Sequence, residues 1–448
     1  MSSPAKSAST SLDDTREKYL PSAAPTNQDT EKNAADHSAP TNPWDPSAFP
    51  DGGAEAWLVV LGCFCALFVS FGWIGAIGVF QEYYQLHQLK DYTPSQVSWI
   101  PAVEATVMFL GGSWVGRIQD LYGPRYLIYG GTFLHPFGLM MASLSTKYWH
   151  FILSQGIVSS IGASMVFYPS FACLATYFMK KRAAAFGLSA VGSSLGGILF
   201  PIMVIHLVED IGYAWTMRAC AFMIFGLLCI SCFTIKSRIP PAKTPVKFMD
   251  FVKPLSELPF LLMTASMFFL FLGLFVPFIF ISVEATVNGM SPLNSIYLVA
   301  VMNATSIVGR TLPAPLADKY GRFNVLIIMS WLTTLFTLAI WIPANTEAKR
   351  WVFSSFFGVS SGTLVSMSPA LVAQISDVRQ IGVRTGTMYT FVAIAVLIGN
   401  PVASSLVTDH HTNYRNLKIF AGCAMAIGSV LLMASRIAIS GFKLKAKV

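Results

Sequence analysis

Apolar runs of roughly 20 residues recur from Trp57 almost to the C-terminus, separated by short polar stretches rich in Gly, Pro, Lys and Arg. At 1.5 Å per residue, a run of ~20 residues crosses ~30 Å of hydrocarbon as a helix. Twelve spans are predicted, at 57–80, 97–116, 126–145, 150–178, 184–207, 217–235, 258–283, 294–316, 324–343, 351–375, 385–408 and 417–435. The longest polar interruption, 236–257, divides them six and six. The pattern therefore predicts an all-α membrane protein of twelve transmembrane helices in two six-helix halves, 51–235 and 258–435, joined by a loop at 236–257.

Composition agrees and removes the main alternative. Of 448 residues, 54% are hydrophobic and 12% charged, about half the charged share of a soluble chain, which leaves too little charge to coat a water-facing surface. Residues 1–50 are different material. Seven Pro and 13 Ser or Thr, with few aliphatic residues, cannot repay the entropy of folding, so a disordered tail is expected there. With no signal peptide ahead of it, the first helix is expected to direct insertion.

The net charge of +8 could suggest nucleic acid, but its distribution points elsewhere. If both termini lie in the cytosol, 22 of the 30 basic residues fall on that side, including a short basic tail at 436–448. Seven fall outside, and Arg310 lies within a span. The asymmetry follows the positive-inside rule and suits contact with anionic lipid, so membrane lipid, not nucleic acid, is the expected partner. A multi-pass protein, expected in the plasma membrane and working as a monomer, follows. The seven Cys lie in apolar stretches without metal spacing and are read as packed thiols; no metal or cofactor is expected.

The two halves repeat a loop. After the second span comes Gly116-Arg117-Ile118-Gln119-Asp120-Leu121-Tyr122-Gly123-Pro124-Arg125. After the eighth comes Leu316-Ala317-Asp318-Lys319-Tyr320-Gly321-Arg322. Both hold Asp-x-Tyr-Gly followed by Arg, 198 residues apart, as expected of a secondary transporter built from internal repeats. Asp120 and Asp318 can accept from the free N–H groups of a helix end, Gly123 and Gly321 permit a tight turn, and Arg125 and Arg322 can pair with carboxylates or lipid phosphates. Together with Gly116 these residues are candidates for a cytosolic gate; the alternative is an ordinary polar loop.

These loops resemble the signature of the major facilitator superfamily. Further stretches resemble the fungal branch of its monocarboxylate transporter family: Pro50-Asp51-Gly52-Gly53 before the first span, Gly78-Val79-Phe80-Gln81 at its end, Tyr177-Phe178-Met179-Lys180-Lys181-Arg182 before the fifth, and Gly309-Arg310 in the eighth. The likeness implies the major facilitator fold, and implies that Arg310 binds a substrate carboxylate. Asn303 and Ser306, seven and four residues earlier, share its helix face. The alternative for Arg310 is an interfacial cation or one that holds a neighbouring carbonyl. Animal members carry an Asp one turn before this Arg, where Ser306 stands, and a Lys in the first helix, where Gly75 stands; of that set only Arg310 remains.

Glu104 reads as the only acidic residue well inside a span. It is a candidate proton carrier, since a carboxyl that alternates between dry and solvated surroundings loads and unloads a proton; a hydrogen-bonded structural role is the alternative. His135 and His206, lacking paired ligands, read as satisfied polar residues. No Gly-x-x-x-x-Gly-Lys loop is present, so a gradient is the expected energy source. The expected function is a secondary carrier, not an enzyme, that moves a small organic anion or other carboxylated metabolite with protons. Export of a fungal secondary metabolite, uptake of a heterocycle such as a vitamin, and a non-transporting sensor are the alternatives.

Overall fold

The computed structural model describes residues 49–75, 77–238, 240, 249–377, 380–407 and 413–442. Most of the N-terminal tail, the middle of the 236–257 loop with Lys243 and Lys247, and the end of the basic C-terminal tail lie outside the described residues. Inside the bilayer every peptide group must be satisfied within its own segment, and each apolar run is accordingly helical. The helices of the first half are α1 (Ala54–Ile74), α2 (Trp99–Leu110, continued beyond Gly111 as Gly112–Tyr122), α3 (Arg125–Ala142), α4 (Tyr148–Tyr177), α5 and α6. The last two are the arms, 182–211 and 213–234, of one chain stretch that bends at Gly212, whose φ of 75° ends the helical path. In the second half follow α7 (Leu258–Val287), α8 (Leu293–Tyr320), α9 (Arg322–Trp341), α10 (Glu347–Gln374), α11 (Ile381–Ser405) and α12 (Arg415–Ser440). A further helix, Ile77–Leu86, succeeds α1.

Several helices outrun their hydropathy boundaries, because a helix ends where its backbone is stopped and not where the hydrocarbon ends. Residues 117–122 continue α2 until Gly123 (φ 78°), and 317–320 continue α8 until Gly321 (φ 104°). Positive φ suits Gly just beyond a helix C-terminus. Asp120 and Asp318 therefore sit in the last helical turns and not in loops. At the other end of the bundle α7 runs to Val287, which brings Glu284 inside it.

Within the halves α1 lies along α5 and α6, and α7 along α12; between them α2 packs on α11 and α5 on α8. These two seams are close. A β-carbon at Gly116 would stand 2.4 Å from the Gly382 oxygen, at Gly386 2.1 Å from the Gly112 oxygen, and at Gly187 2.1 Å from the Arg310 oxygen. Small residues allow such backbone approach between membrane helices.

Candidate functional site

Asn303, Ser306 and Arg310 line one face of α8, and all three are buried against α5 of the other half. Asn303 Nδ2 donates to the carbonyls of Val299 (3.1 Å) and Gly197 (3.4 Å). Ser306 Oγ lies 2.6 Å from Ser194 Oγ and reaches the Asn303 carbonyl at 2.7 Å. Arg310 Nη1 donates to the Ala190 carbonyl and to Ser193 Oγ, while its buried Nε has no partner among the described residues. The guanidinium thus holds a neighbouring carbonyl and keeps one buried donor unspent among the described residues. Together the three side chains form the middle of the α5–α8 seam.

Toward the end that carries the two repeated loops, here the motif end, the halves exchange reciprocal contacts. Asp318 accepts from the amides of Ala183 (3.0 Å) and Ala184 (2.9 Å) in the first turn of α5. Asp120 accepts from the amide of Val383 (3.1 Å) in the first turn of α11. In both cases a carboxylate meets the positive end of the fifth helix of the opposite half. The arginines behave unequally. Arg322 pairs with Asp318 at 2.9 Å and donates to the Met179 carbonyl at 2.8 Å. Arg125 is exposed, and no ion pair or hydrogen bond of its side chain is seen among the described residues. Arg182, outside the repeated pattern, supplies a further bond across the halves, from Nη1 to the Ala373 carbonyl at 2.9 Å. Gly116 contributes closeness and no polar group.

Glu104 lies away from this seam, buried between α1, α2 and α4. Its two oxygens accept from Trp73 Nε1 at 2.7 Å and Gln155 Nε2 at 2.9 Å. Tyr84 fixes the amide orientation by donating to Gln155 Oε1 at 2.6 Å, and stands 3.1 Å from Tyr213 Oη. Among the described residues both hydrogen-bond partners of the carboxyl are uncharged donors. His135, buried nearby, is satisfied by Ser159 and the Val69 carbonyl, whereas His206 is exposed.

The profile described as Major Facilitator Superfamily matches residues 60–399 and, in a second alignment, 314–438. The chain belongs to the major facilitator superfamily. It is 45% identical over 418 residues to "MFS-type transporter 1" of Ophiocordyceps sp. (strain BCC 1869), covering 93% of each chain. It is 41% identical over 388 residues to the "Fujikurins efflux protein" of Gibberella fujikuroi, covering 86% of this chain and 83% of the relative. The crystal structure of the human organic anion transporter MFSD10 (TETRAN) superposes with a TM-score of 0.69 over 85% of this chain and 100% of that one, at 15% identity, which speaks for the fold.

Two features of this superfamily member escaped sequence reasoning. Glu104 is not the only buried acid. Glu284 on α7 accepts from Lys418 Nζ on α12 (2.7 Å) and Trp341 Nε1 on α9 (2.8 Å), with Arg350 Nε on α10 at 3.7 Å. All three charged side chains are buried. Each lies within a turn of a predicted span boundary, where hydropathy assigns charge to loops; only the long-range pairing reveals them. Gly75, at the place of the expected Lys, faces Gly197, whose Cα would lie 3.0 Å from a β-carbon at residue 75. In this packing the position has no room for a long side chain.

Proposed function

We propose that this transporter is an alternating-access exporter of a secondary metabolite, with the motif end toward the cytosol of a plasma membrane and both termini on that side. The observation that carries export is the likeness, across 86% of the chain, to a relative named for efflux of fujikurins. For that reason export takes precedence over uptake of a small monocarboxylate. The reciprocal contacts of Asp120 and Asp318 support a gate: they join the halves at one end of the bundle and break if the halves rock apart. A cargo that bears a carboxylate is supported by the unspent Nε of Arg310, beside Asn303 and Ser306 in the α5–α8 seam. Proton coupling is assigned to Glu104, the buried carboxyl whose hydrogen-bond partners among the described residues are both uncharged.

The test is comparative metabolite profiling of a producing fungus with the transporter deleted, restored, or carrying Asp318→Asn. Deletion should raise the ratio of intracellular to extracellular concentration for one family of compounds, and restoration should reverse it. Asp318→Asn should behave like the deletion. Unchanged partition of all secreted metabolites would remove the exporter reading; loss of uptake of an external acid would replace it with import.

A further inference from the structure

Each gate aspartate grips the start of a fifth helix, and each of those starts is held a second time, from within its own half. Ahead of α1, Asp51 (φ 48°) turns its carboxylate onto the α4–α5 junction. Its Oδ1 accepts from the amides of Met179 (2.8 Å), Lys180 (2.7 Å) and Lys181 (3.1 Å), and its own amide donates to the Tyr177 carbonyl at 3.1 Å. Ahead of α7, Glu257 receives Arg384, in the first turn of α11, through both carboxylate oxygens (2.9 and 2.5 Å). Arg384 also reaches the Ile375 carbonyl at the end of α10.

The four acidic residues therefore form two matching sets. In each half the segment that leads into the first helix supplies an acid that holds the junction between the fourth and fifth helices. The acid at the end of the second helix of the other half then grips adjoining residues: Ala183 and Ala184, just after the Asp51 contacts, in one case, and Val383, just before Arg384, in the other. Met179 joins the two grips directly, its amide on Asp51 and its carbonyl on Arg322.

We infer that Asp51 and Glu257 are positioning residues of the gate: they hold the backbone of the α4–α5 and α10–α11 junctions in the shape that Asp318 and Asp120 recognise. This rests on the gate proposed above. The physical case is the accounting of donors. A loop whose three successive amides converge on one oxygen keeps that shape only while the acceptor is present. Without Asp51 the loop relaxes, the first turn of α5 no longer presents two amides in register to Asp318, and the motif end opens more often. Glu257 acts likewise on α11 through Arg384.

Hydrogen exchange of the full chain in phosphatidylcholine nanodiscs, followed by mass spectrometry on peptides covering 176–190, 380–390 and 420–430, separates the possibilities. Asp51→Ala should quicken exchange about tenfold in the first two peptides, the second of which does not touch Asp51, and leave the α12 peptide unchanged. Asp51→Asn, which keeps an oxygen acceptor, should restore most of the protection. Quickening confined to 176–182 would reduce Asp51 to a local loop cap, and quickening in α12 as well would mean general loosening; either overturns the proposal. Should Asp51→Ala fail to fold, Glu257→Ala must quicken both gate peptides, and failure to do so overturns it equally. Asp318→Asn is the control for the gate itself. If it quickens both gate peptides while Asp51→Ala does not, only the positioning role falls; if it does not, gate and positioning role fall together.

Discussion

Each half buries a carboxyl, and the two halves satisfy it by opposite means. In the N-terminal half Glu104 is met by an indole and an amide, with Tyr84 and Tyr213 behind them. In the C-terminal half Glu284 is met by an ammonium, an indole and a nearby guanidinium. The supporting groups come from corresponding helices: Gln155 on α4 and Tyr213 on α6 in one half, Arg350 on α10 and Lys418 on α12 in the other. The carboxyls themselves sit on different helices, Glu104 on the second of its half and Glu284 on the first, so the fourth and sixth helices serve a neutral network in one half and an ionic one in the other. A carboxylate set against an ammonium and a guanidinium acts as a staple between four helices. An anion held only by neutral donors has a protonation state free to follow its surroundings, which is what a transport carboxyl requires.

The largest effect should come from the ionic side. Glu284→Ala leaves Lys418 and Arg350 buried without their anion and should cost about 3–5 kcal/mol. The readout is thermal unfolding of detergent-purified protein against wild type; a loss as small as that of a surface substitution would break the contrast. Lys418→Met should cost less, about 1–3 kcal/mol, because Arg350 and Trp341 still serve Glu284. If it unfolds the protein as readily as Glu284→Ala, the two cations are not sharing the anion as described.

Glu104→Gln should be milder for stability and decisive for coupling. The fold should survive with a loss of about 1–2 kcal/mol, since Trp73 still has an acceptor while Gln155 now faces a second amide. Exchange of cargo across vesicles should continue, but accumulation driven by a pH step should vanish. Intact accumulation would move the proton elsewhere, and unfolding comparable to Glu284→Ala would make Glu104 a staple as well. The smallest effect on stability belongs to Arg310→Lys. It keeps a cation against Ala190 but removes the planar fork, so transport of a carboxylated cargo should fall about tenfold with little change in thermal stability. Unchanged transport would leave Arg310 a seam residue only.

The fold was readable because each span announces itself locally: apolar length, Gly and Pro at the breaks, and an Asp-x-Tyr-Gly-Arg loop twice at the same station. The residues of the α8 face were also visible, because a lone Arg in an apolar run demands a reason. What stayed hidden was pairing. Glu284, Arg350 and Lys418 sit at the edges of their spans, where a window of hydropathy places charge in water; α7, α10 and α12 must come together before the three are seen to neutralise one another. Likewise nothing in the string Pro50-Asp51-Gly52-Gly53 says that its carboxylate meets Met179, Lys180 and Lys181, more than 120 residues away. Arg350 and Lys418, two of the seven basic residues that the sequence reading places on the outer side, both lie buried within the bundle.

Alternating access through the α5–α8 seam is the claim on which the rest depends, and one cross-link addresses it. Ser194 and Ser306 touch across the seam, their hydroxyl oxygens 2.6 Å apart, a separation that suits a disulfide if both become cysteine. Cells or vesicles carrying Ser194→Cys with Ser306→Cys should export the compound identified by profiling under reducing conditions, lose that export on oxidation, and regain it on reduction. Export that continues undiminished with the bond demonstrably formed would contradict the account, because the cargo would then be crossing without the seam opening.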